Sequence, residues 1–154
     1  RVFQRFSTLD AISNGRAEVI LGRGSFTESF PLFGYDLSQY GELFEEKLAL
    51  FAQLLEQRPV TWSGRTRSAL TGQSIYPPVE TGRLRTWVGV GGTPESVARA
   101  ARHHLPLMVA IIGGSPRRFT KNAVDSGPRP TGTVSIDSAR TCVRRGPTGS
   151  DRDL

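Results

Sequence analysis

Residues 86 to 112 read "TWVGVGGTPESVARAARHHLPLMVAII", and the fold class turns on how this stretch is divided. "TWVGV" is a short apolar run with β-branched residues, of the kind that makes a strand buried on both faces. It stops at Gly91-Gly92. Thr93 is then a natural helix N-cap, Pro94 suits the first helical position, and Glu95 places acidic charge in the first turn. A helix should follow to the His103-His104 pair. "LPLMVAII" is a second continuous apolar run and predicts a second strand. Strand, glycine turn, helix and strand within so few residues define a βαβ unit, with parallel strands and a right-handed crossover.

The same arrangement extends towards the N-terminus. Val2, Phe3, Phe6, Leu9 and Ile12 recur at helical spacing, and Asn14-Gly15 is well suited to end a helix near Ser13. "AEVILG" (17–22) predicts a buried strand. Asp36 reads as the N-cap of the next helix, with Gln39 as its reaching-back partner. That helix carries Leu43, Phe44, Leu48, Phe51, Leu54 and Leu55 on one stripe, and Glu42, Glu45 and Glu46 near its positive end. Residues 57–85 show no sustained periodicity and predict a long irregular connection. Two consecutive βα units imply an α/β fold with a parallel sheet.

From Thr120 to Leu154 there is no aromatic residue, and apolar residues are isolated. Such a segment buries too little surface to offset chain entropy, so a low-order, irregular tail is expected over 120–154 after an ordered domain over 1–119. The net charge is +6. It is spread without a basic stripe interleaved with aromatics, which argues against a nucleic-acid partner. Cys142 is the single cysteine, so no disulfide can form within the chain and a cysteine-rich metal site is excluded. No apolar run reaches a membrane span of about 18 residues, and the first residues lack a signal-peptide pattern. A cytoplasmic location is expected. The chain lacks an initiator Met and opens within a helical pattern, and further sequence upstream is expected.

In parallel α/β folds ligands gather at the carboxyl ends of the strands. Three glycine turns fall there: "GRGS" (22–25), "GGTP" (91–94) and "GGSP" (113–116). Gly91, Gly92 and Thr93 combine close backbone approach, a hydroxyl and a helix N-terminus, which suits a phosphate; Thr93 could equally cap its own helix and do nothing else. Arg23, after the first strand, needs a partner, either a ligand phosphate or a carboxylate such as Glu28. Catalytic groups are sparse. His103 and His104 sit at a helix end that favours cations, and Ser25 and Ser29 lack a His and Asp constellation.

Several separated motifs, "LDAISNGRAE" (9–18), "GRGSF" (22–26), "LFGYD" (32–36), "GGTPES" (91–96) and "LPLM" (105–108), occur in an order that resembles the bacterial-luciferase-like flavin-dependent monooxygenases and oxidoreductases over residues 1–119. The resemblance implies a (β/α)8 TIM barrel of which this chain holds a central part. Strands one to three, with a catalytic histidine in many members, and strands seven and eight have no counterpart here. It further implies binding of reduced FMN, or of F420 in some branches, with Arg23 at the phosphate region and Gly91, Gly92 and Thr93 holding the phosphate. The implied activity is oxidation of a small organic substrate by reduced FMN and O2. An F420-dependent hydride transfer and a non-catalytic remnant are the alternatives. Intact relatives can involve a flavin reductase or form homo-oligomers.

Overall fold

The computed structural model describes residues 1–80, 82–91 and 93–110. Gly92, the "GGSP" turn and the tail over 120–154 lie outside the described residues. The chain begins with helix α1 (Val2–Ile12). Asn14 and Gly15 both take positive φ, 53° and 78°, and the Gly15 N–H donates to the Asp10 carbonyl at 2.9 Å. The Asn-Gly pair thus closes the helix through its access to the left-handed region. The face that α1 buries differs from the apolar stripe expected from its spacing. Phe3, Ser7 and Asp10 are buried, whereas Val2, Leu9 and Ile12 are exposed, Ile12 at 78%. Phe3 sets the orientation because its ring meets Phe51 edge to face, with centroids 5.5 Å apart.

Strand β1 (Glu18–Leu21) leads through the "GRGS" turn to a one-turn helix α2 (Ser29–Leu32). Asp36 does act as a cap, but of a 3-10 turn over Leu37–Gln39: its Oδ1 accepts from the Ser38 N–H at 2.8 Å, two residues on. The α-helix itself begins only after this turn, with Gln39 as its N-cap residue and no side-chain cap bond, so the expected reciprocal pair is not formed. Helix α3 (Tyr40–Leu54) follows and buries Leu43, Leu48 and Phe51, the stripe that its periodicity predicts.

The connection over 57–85 is more ordered than expected. It holds an antiparallel hairpin, β2 (Val60–Trp62) and β3 (Leu70–Gln73), with an irregular register between Val60 and Trp62. Such short strands with exposed polar and glycine positions carry no alternation to recognise. Their order comes instead from α3. The Glu46 carboxylate accepts from the N–H groups of Arg65 and Thr66, at 2.6 and 2.9 Å, and from the Thr66 hydroxyl at 2.7 Å. Further on, the Gln57 side chain accepts from the Val79 N–H at 2.7 Å and donates to the Gly82 carbonyl.

Strand β4 (Arg85–Val90), helix α4 (Pro94–Arg102) and strand β5 (Leu107–Val109) complete the described elements. The main sheet has the order β1-β4-β5 and is parallel throughout, with Val19 opposite Thr86 and Val88 opposite Leu107. This is the expected α/β class. One face of the sheet, bearing Val19, Val88 and Val90, joins Phe3, Leu48, Phe51, Leu84 and Ala100 in the core. Each large apolar side chain buried there contributes about 1.5–3 kcal/mol. Among the described residues nothing covers the other face: Ile20 is 55% and Met108 42% exposed, beside Trp87. On it Glu18 accepts from Arg85 at 2.8 Å and from the Trp87 indole at 3.0 Å.

Candidate functional site

Parallel pairing brings the carboxyl ends of β1 and β4 to one edge of the sheet, with Leu21 opposite Val88. Arg23 follows β1 and Thr93 follows β4, so chain connectivity delivers both to that edge. The side chains have separate partners. Arg23 is exposed, and its guanidinium lies 5.1 Å from the centroid of the Tyr40 ring. No ion pair links it to Glu28 or to any other described acid. The carboxylate partner is therefore replaced by an aromatic face, which holds a guanidinium while leaving its N–H donors available. The Tyr40 hydroxyl donates to the Gly24 carbonyl at 2.5 Å, and Phe30 packs against the same ring at 5.5 Å.

Tyr40 is a residue that sequence reading passed over. Its signal was slight: an aromatic opening the helix that follows the "GRGS" turn.

Thr93 is the N-cap of α4, and its hydroxyl accepts from the Ser96 N–H at 3.4 Å. Ser96 returns its own hydroxyl to the Thr93 carbonyl at 2.7 Å. Thr93 thus caps its helix. Capping leaves the Glu95 N–H at the head of a helix whose first position, Pro94, has no donor. An additional Cβ on Gly22, Gly24 or Gly91 would meet nothing within 4 Å. The backbone at these three positions therefore borders open space, and of the three only Gly24, at φ +77°, needs glycine for its conformation.

At the other end of α4, His103 follows the last helical residue, and His104 has a φ of 50°. Burial pushes His103 below its ordinary pKa against the opposing pull of Glu45, with Arg102 and His104 adding to the lowering. Neither histidine approaches Arg23 or Thr93 in the chain's layout: they lie one helix length from the edge. Two cavities among the described residues also lie elsewhere. One of about 270 Å³ is lined by Arg85, Trp87, His104 and Pro106 at the amino ends of β4 and β5. The other, about 330 Å³, lies between α3 and the last turn of α4, bordered by Glu45, Trp62, Arg102 and His103.

The family model of the luciferase-like monooxygenases matches residues 1–127. The chain belongs to that family. Among solved structures, this luciferase-like chain is similar to the monooxygenase RslO1 from Streptomyces bottropensis, with a TM-score of 0.63 and 24% identity, covering 84% of this chain and 42% of that one. It is also similar to an F420-dependent secondary alcohol dehydrogenase in complex with an F420-acetone adduct, with a TM-score of 0.60 and 22% identity, covering 84% and 41%. The uncharacterized protein y4vJ of Sinorhizobium fredii (strain NBRC 101917 / NGR234) is 25% identical over 155 residues, 92% of this chain and 42% of that relative. The luciferase-like chain thus spans about two fifths of the length of the proteins it matches. Luciferase-like family members are oxidoreductases and monooxygenases. No described helix is long and apolar enough to cross a membrane.

Proposed function

We propose that the chain supplies the phosphate-holding part of a flavin-dependent oxidoreductase, with reduced FMN as cofactor and a small organic compound as substrate. The single observation that carries this is the donor set at the carboxyl edge of the sheet. The Arg23 guanidinium, steadied on Tyr40 and unpaired with any described acid, stands at the same edge as Gly91 and the capped N-terminus of α4. Guanidinium, backbone N–H and helix dipole all favour an anion, and the open space around the glycines admits one. Bound flavin would supply the redox chemistry. Arg23 and Thr93, with Gly91 and Gly92, would bind and orient its phosphate, and the protein would exclude water around it.

The open face of the parallel sheet supports a finer reading of the fold. Among the described residues, helices cover one face, and strands of one direction leave the other, which mixes Ile20, Trp87 and Met108 with the Glu18–Arg85 pair, unfilled, as in an arc of a (β/α)8 barrel seen from its interior. Similarity to the F420-dependent dehydrogenase keeps F420 as the second cofactor candidate, since it also carries a phosphate.

Fluorescence titration of the full chain with FMN, riboflavin and F420 tests the proposal. FMN should bind more tightly than riboflavin, and Arg23→Ala should weaken FMN by about 10- to 100-fold while sparing riboflavin. Preferential binding of F420 would reassign the cofactor. Folded chain with no phosphate-dependent binding would overturn the proposal.

A further inference from the structure

Helix α4 has the candidate phosphate site at its N-cap, yet little apolar surface attaches it to the body of the protein. Its buried residues are Ser96 and Ala100, a hydroxyl and a methyl, whereas α3 buries Leu43, Leu48 and Phe51. Towards its last turn the space against α3 is a cavity of about 330 Å³. Across that gap runs a charged link. The Glu45 Oε1 atom accepts from Arg99 Nε at 2.5 Å and from an Arg102 terminal nitrogen at 3.1 Å. The Arg99 side chain is only 11% exposed, and its guanidinium lies 5.5 Å from the centroid of the Phe44 ring.

A desolvated guanidinium depends on its carboxylate far more than a surface one does, because its alternative is a buried unpaired charge. The single carboxylate also grips two residues three apart on α4, which fixes rotation of the helix about its axis as well as its distance from α3.

We propose that Glu45 is a positioning residue for cofactor binding: by clamping Arg99 and Arg102 it holds α4 in the orientation that aims its N-terminus at the ligand phosphate. The inference rests on the phosphate reading of the sheet edge. Glu45 touches no ligand, so its effect passes through α4. It should act on phosphate recognition alone, and the isoalloxazine ring should be indifferent to it.

The test compares FMN with riboflavin on the full chain, wild type against Glu45→Gln, alongside hydrogen exchange of the α3 and α4 amides. Glu45→Gln should weaken FMN on the order of tenfold, leave riboflavin within about twofold, and speed exchange in α4 but not in α3. Arg102→Gln removes only the more exposed arm and should give a smaller loss of the same kind, which keeps the test decisive if Glu45→Gln does not fold. Equal loss of FMN and riboflavin affinity, or unchanged exchange in α4, would overturn the assignment of Glu45. Wild-type chain that binds FMN no better than riboflavin would instead sink the phosphate reading, while the exchange result would still decide whether Glu45 anchors α4.

Discussion

Tyr40 and Gly24 are joined by a 2.5 Å hydrogen bond from the phenol to the backbone carbonyl, which ties the first residue of α3 to the turn that follows β1. The same ring carries the Arg23 guanidinium. One aromatic side chain therefore fixes both the backbone and the charge of this turn. Tyr40→Phe keeps the ring and removes the hydrogen bond, worth about 1 kcal/mol, so FMN affinity should fall about fivefold. Tyr40→Leu removes the cation–π contact as well and should fall further. Fluorescence titration of the two variants checks the order.

At Thr93 the cap and the candidate ligand contact share one hydroxyl. Thr93→Val should cost about 1 kcal/mol of stability through loss of the cap, and should weaken FMN binding in the same variant. Thr93→Ser keeps a hydroxyl and should preserve both. Urea unfolding followed by circular dichroism measures the first effect and flavin titration the second.

Glu46 predicts an acid-sensitive hairpin. Its three hydrogen bonds, two from backbone N–H groups, hold its pKa below the ordinary 4.5. A depressed folded-state value means that this stabilisation is complete above about 4.5, the unfolded value, and is lost as pH falls through the lower folded value. In a Trp87→Phe background, Trp62 fluorescence should change across that acid range, and Glu46→Gln should abolish the step. Gly64→Ala should uncouple the hairpin at neutral pH, since its Cβ would come within 2.6 Å of the Glu46 carboxylate and 2.8 Å of the Trp62 indole nitrogen.

Phe51 joins α3 to α1 through Phe3 and is 6% exposed. Phe51→Ala should cost about 3–5 kcal/mol, a large share of the roughly 5–15 kcal/mol that holds an ordinary domain together. Thermal unfolding should show loss of the cooperative transition or a large drop in its midpoint. Ile12→Ala, at an exposed position of α1, should leave the midpoint nearly unchanged.

Local chemistry written in neighbouring residues was legible from the sequence. Asn14-Gly15 ended α1, Thr93-Pro94 opened α4, and continuous apolar runs became parallel strands, because each depends on a few contiguous residues and on burial of a whole strand. The family motifs were legible for the same reason, and with them the membership that residues 1–127 establish.

Relations between distant segments were decided only by the tertiary structure. Spacing could not tell that α1 would turn Leu9 and Ile12 outward, since that choice belongs to the Phe3–Phe51 contact. The hairpin over 60–73 has no pattern of its own and takes its order from Glu46 on α3. The sequence offered an acid or a ligand phosphate as the partner of Arg23 on the expectation that its charge would be buried; the structure exposes it instead, and its contact is an aromatic ring. Folding brought Tyr40, seventeen residues on, against its guanidinium, 5.1 Å from the ring centroid, and left the side chain exposed.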